Sequence, residues 1–488
     1  MITSRLTTGS RLLLISLLPL WLGACGAIPA PAQVSAPLPL QWFAPLPHNG
    51  RLADLSQWWQ EQGDPLLAEL VAAGQAVSPT VASARSRIEQ ARAARVAAGA
   101  ALLPTLNASA SLTRGRSQPT GTGGAPVATT AQAGLQAGWE IDVLGGNRAS
   151  LDASTQRLLG ADAQWHEARV SVAAEVASRY YSLRTCRALA GVTQTDAASR
   201  QETARLSDLS TRAGFTAPAS DALARASAAE ARSQSTRQAA SCELDLKALV
   251  ALSGFAEPDL RQKLAFPHVD NGFSTIISIA SVPADALAQR PDVFSAGRDV
   301  AAASADLGAA NAARYPRLGL SGSIGLAQIR AGGGSFNLDT WSIGPLTLSV
   351  PLFDGGRRVA NVQAAQARYE EAASLYRARV RQAVREVEEA LVSLNASEAR
   401  QGDAQAAVSG YRAAFTGAEA LYKNGLASLL NLEDARRTLL AAELSSASLR
   451  QEQQAASVAL YRAMGGGWTP AIAPLGPAGA GQASARAP

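Results

Sequence analysis

The chain states one pattern twice, about 211 residues apart. Pro104 in ALLPTLNASASL answers to Pro316 in ARYPRLGLSGSIG, Gly145-Gly146 to Gly355-Gly356, and Gly214 to Gly425. A repeat at a fixed offset is one structural module used twice. Each copy carries two segments of period two followed by very long helical stretches. That order leaves few folds open.

In the first copy Leu106, Ala108, Ala110 and Leu112 alternate with Asn107, Ser109, Ser111 and Thr113. Ala133, Leu135, Ala137, Trp139 and Ile141 then alternate with small or polar neighbours. In the second copy Leu318, Leu320, Ile324 and Leu326, then Leu346, Leu348, Val350 and Leu352, do the same. The strands predicted are about 105–114, 132–142, 317–326 and 341–353. A strand of about ten residues, apolar on one side and small-polar on the other, suits a transmembrane barrel wall with a wet lumen. A soluble antiparallel sheet with one solvated face alternates likewise. The Gly/Ser/Thr/Pro-rich stretches at about 115–131 and 327–340 read as loops. Gly332-Gly333-Gly334 is a flexible loop rather than a phosphate cradle, since no helix with Lys-Ser/Thr follows it.

From Tyr369 a 4-3 spacing runs through Val380, Val387, Leu394, Ser397, Gln401, Val408 and Phe415 to Tyr422, broken in apolar character only at Ser397 and Gln401. Such a period signals coiled-coil packing. At 1.5 Å per residue the ladder is roughly 80 Å long, too long and too charged outside its seam to lie in a bilayer. The helices predicted are about 147–213 and 219–253, then 357–424 and 430–464. Gly214 and Gly425 mark the hairpin turns, and Gly465-Gly466-Gly467 a stop.

Four strands cannot close a transmembrane barrel, because the smallest single-chain examples use eight. An open sheet edge in lipid costs several kcal/mol for each unpaired backbone group. Copies of the chain must therefore pool strands, and small lumen-facing residues favour twelve strands from three copies over eight from two. The fold class expected is mainly α with a transmembrane β component: a duplicated strand-strand/long-helix-hairpin unit, whose pooled strands form a β-barrel that the long helices continue as an α-helical barrel.

The first 25 residues set the address. Arg5 and Arg11 precede an apolar run of signal length, and Leu22-Gly23-Ala24-Cys25 resembles a bacterial lipobox. The signal peptide is then 1–24 and Cys25 carries the lipid, the alternative being an ordinary signal segment with a chance Cys. Gly26, where an Asp would retain many such lipoproteins in the inner membrane, points to the outer one. Residues 25–56 read as a lipidated extended tether, 57–262 and 263–468 as the two repeats, and 469–488 as a disordered tail. Cys186 and Cys242 are centred on Gly214, so antiparallel helices would bring them to one height; a disulfide or two buried free thiols would satisfy this.

An aromatic content of 5% is thin for a globular core of this length, and the net charge of +5 is dispersed, which argues against a nucleic-acid surface. His48, His166 and His268 are scattered without metal-site spacing, and no nucleophile elbow or paired carboxylates stand out. The expectation is no enzyme, no metal and no cofactor beyond the covalent lipid.

The lipobox, WW with DPLL, WEIDVLGG, RPDV at 290–293, YPRL at 315–318, VPLFDGGR and YRAMGGGW together resemble the outer-membrane factors of tripartite efflux pumps. These are the TolC-like proteins, here similar to the NodT-type lipoprotein branch. The resemblance implies a homotrimer in the outer membrane, a trimeric 12-strand β-barrel continued by a 12-helix α-barrel, that docks onto a periplasmic adaptor and an inner-membrane pump of the RND type. It also implies a periplasmic gate in which Leu430 constricts and Asp434 with Arg437 forms an inter-subunit polar ring, with Asp221 the first-repeat counterpart of the Asp. An isolated surface pair is the alternative for Asp434 and Arg437. Thr211 in place of Tyr422 and an inserted Pro218 set the first repeat apart. The function expected is a passive exit duct; a type I protein-secretion duct and a trimeric coiled-coil envelope scaffold are the other readings.

Overall fold

The structure, a computed structural model, describes residues 30–44, 58–61, 63–116, 127–265 and 287–469. The signal segment, Cys25, residues 26–29 and 45–56 of the tether, His48, His268 and the tail from 470 lie outside the described residues. In chain order the elements are α1 (Trp58–Glu61), α2 (Pro65–Val77), α3 (Pro79–Ala100), β1 (Thr105–Gly115), β2 (Ala128–Ile141), α4 (Gly146–Arg212), α5 (Pro218–Ser253) and α6 (Glu257–Ala265). Then follow α7 (Pro291–Ala312), β3 (Arg317–Ala331), β4 (Gly334–Ser349), α8 (Arg357–Lys423), α9 (Leu429–Ala463) and a 3-10 turn at Gly465–Gly467. The duplication is metrical: α4 and α8 both have 67 residues. No single helix among the described residues is long and apolar enough to cross a membrane.

The chain divides into two compact units, each built from separated segments. The first takes in 87–161 and 296–377 and holds the antiparallel sheet, in the order β1-β2-β3-β4. Its register lines up like with like. Ala108, Leu135, Ile324 and Trp341 form one cross-strand row, and Asn107, Gln136, Ser323 and Ser342 the adjacent row on the opposite face. The apolar face is largely bare within its unit: Trp341 is 76% and Ile343 85% exposed. A soluble sheet would bury this face on a core. Both outer strands, β1 and β4, leave an edge unpaired.

The strands are longer at their hairpin ends than alternation predicts. β2 starts at Ala128, and the loop expected at 327–340 is strand on both sides of a two-residue turn. Gly332 and Gly333 have φ of +57° and +85°, the signs a tight primed hairpin turn needs. The triple glycine thus shapes a turn, not a flexible loop. The second pair ends earlier than expected, at Ser349.

Both long helices start the same way. Asp142 accepts the N–H groups of Asn147 and Arg148, at 3.1 and 2.9 Å. Asp354 accepts those of Gly356 and Arg358, at 3.1 and 3.2 Å. A carboxylate there satisfies helix donors that have no partner inside the helix. This gives the two Asp-containing Gly-Gly motifs their physical role.

The second unit takes in 36–86, 162–295 and 378 onward, and its core is aromatic as well as aliphatic. Trp58 stacks on Tyr461 with centroids 5.1 Å apart. Buried Asp64 caps α2 through the N–H groups of Leu66 and Leu67, and the Tyr180 hydroxyl donates to it at 2.5 Å. Burial and that carboxylate push the Tyr180 phenol above its ordinary range. Buried Arg290 donates to the Ala463 carbonyl at the end of α9, at 2.9 Å, and pairs with Asp292 and Glu386. Burial alone would weaken its hold on the proton, but those carboxylates raise it instead. A Cβ on Gly465, at φ +77°, would collide with the Gln289 carbonyl. RPDV and MGGGW are therefore two halves of one clamp.

The described part of the tether has no regular structure, yet it is moored rather than free. In the first unit the Tyr369 hydroxyl donates to the Pro31 carbonyl at 3.0 Å. In the second, the Glu388 carboxylate accepts the N–H groups of Phe43 and Ala44 at 2.7 and 2.8 Å.

Candidate functional site

The two hairpin turns lie in the second unit and share one backbone. Gly214 and Gly425 have φ of +80° and +74°, a left-handed conformation that favours glycine. The Phe215 N–H bonds to the Ser210 carbonyl and that of Leu426 to Leu421, both at 2.9 Å. The next helix begins equally soon in each repeat, at Pro218 (218 − 214 = 4) and at Leu429 (429 − 425 = 4). Pro218 is therefore not an insertion. Asp221 then takes the helix position of Leu432, not that of Asp434, and it is buried as Leu432 is.

The sequence-predicted residues sit as follows. Leu430 is 57% exposed on the first turn of α9. Asp434 and Arg437 form an exposed i,i+3 ion pair at 3.0 Å. Asp221 pairs with Arg225 at 2.9 Å, and its second carboxylate oxygen is buried without a hydrogen-bond partner. No bond joins Asp221 to Asp434 or Arg437. Cys186 and Cys242 are joined as a disulfide between α4 and α5, with Cα atoms 5.4 Å apart. Among the described residues, no group of three or more His, Cys, Asp or Glu is placed to hold a metal ion.

Sequence reasoning missed the residues that tie the two hairpins together. Glu433 and Arg436, each one position before Asp434 and Arg437, are buried and paired with each other. Arg200 of α4 donates to Glu433 at 2.9 Å, and so does the Ser227 hydroxyl of α5. Arg436, only 3% exposed, donates to the hydroxyls of Ser199 and Thr203 at 3.0 and 3.1 Å and lies over the Phe415 ring. Arg200 also grips Asp196 at 2.9 Å. Burial pushes the Asp196 carboxyl up, which Arg200 opposes and Glu433 reinforces. A signal for this face was present. Leu429, Leu432, Glu433 and Arg436 follow the i, i+3, i+4, i+7 spacing of a buried helix stripe.

The arrangement is therefore two-layered. A buried ionic bond network locks the repeats within one chain, and a second charged pair one residue along is left on the surface. The buried layer is costly to disturb, since removing one partner strands the other charge. The exposed layer contributes little by itself. It is free to meet another chain.

Comparison with known proteins gives a consistent result. The sequence model of the family described as "Outer membrane efflux protein" matches residues 72–255 and 282–466, one match within each repeat. The chain is 29% identical over 456 residues to the pyoverdine export outer membrane protein OpmQ of Pseudomonas aeruginosa, covering 92% of this chain and 95% of that protein. It is 29% identical over 459 residues to nodulation protein T of Rhizobium leguminosarum bv. viciae, covering 93% of each. Its structure is similar to that of the outer-membrane channel OprN, with a TM-score of 0.81 and 27% identity over 91% of this chain and all of that one.

Proposed function

The chain belongs to the outer membrane efflux protein family, and from that premise we propose that three copies close one β-barrel and form the gated exit of a tripartite pump. As an efflux channel protein of the outer membrane, with its long helices in the periplasm, it conducts small molecules passively outward. One observation carries the trimer reading: a four-stranded sheet with both edges open and its apolar face bare. Pairing β4 of one copy with β1 of the next satisfies both edges, and three copies leave an aqueous bore. Lipid on Cys25 holds each copy to the membrane.

The energy for transport comes from an inner-membrane pump of the RND type, reached through a periplasmic adaptor, so the channel itself needs no catalytic step. Leu430, Asp434 and Arg437 of three copies face one another at the periplasmic end and close it. Their exposure on a single chain supports this: Leu430 is bare, and Asp434 and Arg437, though paired with each other, stay on the surface where a second copy can reach them. Asp221, buried and paired with Arg225, takes a supporting place behind that ring. The test is reconstitution of the detergent-extracted protein in planar bilayers, with its particle mass measured in parallel. Trimers that conduct are expected; trimers without conductance would favour a coiled-coil scaffold, and monomers would overturn the barrel.

A further inference from the structure

The apolar face of the sheet is not uniform, and its departure is confined to the hairpin ends. Follow the cross-strand rows from the middle of the sheet toward the turns. Ala108, Leu135, Ile324 and Trp341 form one row; Ala110, Ala133, Leu326 and Asp339 the next; Leu112, Ala131, Gln328 and Asn337 the next; and Arg114, Thr129, Arg330 and Ser335 the last. All these side chains share one face, because each row is two residues on from the one before. Large apolar groups give way to two alanines beside a leucine and a carboxylate, then to two amides beside Leu112 and Ala131, then to two arginines.

A concavity of about 640 Å³ lies on this face, with Ala110, Ala131 and Ala133 among its lining, Leu112 and Leu326 beside them, and Gln328, Asn337 and Asp339 on one flank. Its volume falls in the range of sites that hold small ligands, about 300–1,000 Å³. Arg114 and Arg330 stand one row above Leu112 and Gln328. They are two strands apart, roughly 10 Å by strand spacing. Both are exposed, and neither forms an ion pair among the described residues. On a lipid-facing barrel wall an arginine costs about 2–4 kcal/mol at the midplane and little near the interface. Their place at the last row is the affordable one. It is also where a headgroup would lie.

The helices leave the strands at the opposite ends, so the strand ends at Gly115, Ala128, Ala331 and Gly334 lie away from the periplasm. We infer that this face binds a phosphorylated, multiply acylated glycolipid of the outer leaflet, one per chain. An acyl chain fills the alanine-floored groove between Leu112 and Leu326. The guanidinium forks of Arg114 and Arg330 bond to phosphate oxygens, the geometry arginine suits best. Gln328 and Asn337, one row below the arginines, exchange hydrogen bonds with amide and hydroxyl groups of the headgroup. A zwitterionic phospholipid would offer the arginines one phosphate and the amides little. The inference rests on the barrel reading, since only then does this face meet lipid.

Native mass spectrometry of delipidated, detergent-extracted trimers titrated with bis-phosphorylated lipid A tests it. The wild type should retain one lipid A per chain, and R114Q/R330Q should lose about tenfold in affinity, the factor that ~1.4 kcal/mol represents. A133F, which fills the groove, should lose binding comparably. T130Q, at the same height on the opposite face, should bind as wild type does. The same spectra report the trimer, so a variant that fails to assemble is seen at once. Equal retention by wild type and both groove variants would overturn the inference, as would equal retention of phosphatidylethanolamine or displacement by inorganic phosphate alone. Monomers without bilayer conductance would instead overturn the barrel reading beneath it.

Discussion

The two hairpin turns are copies in backbone and strangers in chemistry. Each has a left-handed glycine, the same pair of turn hydrogen bonds and a helix restarting four residues later (218 − 214 and 429 − 425). After that they part. The first repeat starts α5 with Pro218 behind an uncapped Ala217, and buries Asp221, Ala224 and Ala228. The second starts α9 with Ser428, whose hydroxyl accepts the Asn431 N–H at 3.2 Å, and places an acid and a base on both its buried and its exposed side. Duplication kept what the chain direction needs and released the side chains. Near the turn, the returning helix pairs an exposed acid with an exposed base in the second repeat, Asp434 with Arg437, whereas in the first the exposed Arg225 meets the buried Asp221. The first is built as a support.

The largest expected effect sets two adjacent arginines against each other. Arg436→Leu leaves buried Glu433 with Arg200 as its remaining guanidinium partner and the Ser199 and Thr203 hydroxyls without their donor, and should cost about 3 kcal/mol, whereas Arg437→Leu should cost no more than the roughly 0.2–0.5 kcal/mol of an exposed helix pair. Thermal melts of helical circular dichroism on the extracted protein would separate them; equal shifts would dissolve the two-layer picture. Next is the disulfide, which belongs to the first hairpin alone and spans 56 residues. Its loss in Cys186→Ser/Cys242→Ser should cost about 2–4 kcal/mol. Hydrogen exchange should show the loosening in α4 and α5 and spare α9. Protection lost evenly over both hairpins would mean that the repeats do not hold themselves separately.

Smaller is the cap. Ser428→Ala should remove about 1 kcal/mol from the start of α9. Ala217→Ser should restore some of the missing symmetry by stabilising α5. A cap gained at Ala217 without effect on exchange at Asp221 would show that Pro218 alone suffices there. Acid should act on the shared network in one direction. The folded Asp196 carboxyl is raised above 3.8, so the folded state binds its proton more readily than the unfolded state does. Its contribution to stability therefore grows as pH falls from neutral through the raised value toward 3.8, and is lost again on the way up. Wild-type stability minus that of Asp196→Asn, followed over that range, should rise on acidification; a flat difference would remove Asp196 from the network.

Much of this fold is legible from period alone. The alternation of Leu106 to Thr113 and the 4-3 ladder through Val380, Val387 and Leu394 place strand and helix within a few residues, because each side chain faces its environment at a fixed repeat. Where alternation failed, local composition misled: Gly332-Gly333-Gly334 reads as slack, though two of those glycines shape a tight turn. The tether reads as free because its anchor, Glu388, is more than 340 residues away. The candidate site divides in the same way. Asp434 and Arg437 are visible as a motif, while the partners of Glu433 and Arg436 are in the other repeat, 233 and 237 residues off for Arg200 and Ser199. Only the buried stripe from Leu429 to Arg436 hinted at them, and a stripe names a face, not its occupant.

The smallest effect on stability should be the largest on conduction. Asp434 and Arg437 bond to each other at 3.0 Å on the surface of one chain, an arrangement that adds only about 0.2–0.5 kcal/mol to a lone helix. If that were their whole role, Asp434→Ala would leave the channel unchanged. If three copies form a closed ring, the loss of three carboxylates leaves three guanidinium groups facing one another without counter-charge. Like charges at such range repel, and the periplasmic end should open. Single-channel conductance of Asp434→Ala should then exceed that of wild type, with the melting temperature almost unmoved. Asp221→Ala should do the reverse, because its carboxylate is buried behind the turn with one oxygen unpaired. It would shift stability and leave conductance near wild type. Equal conductance changes in the two variants would mean that the repeats share the gate after all.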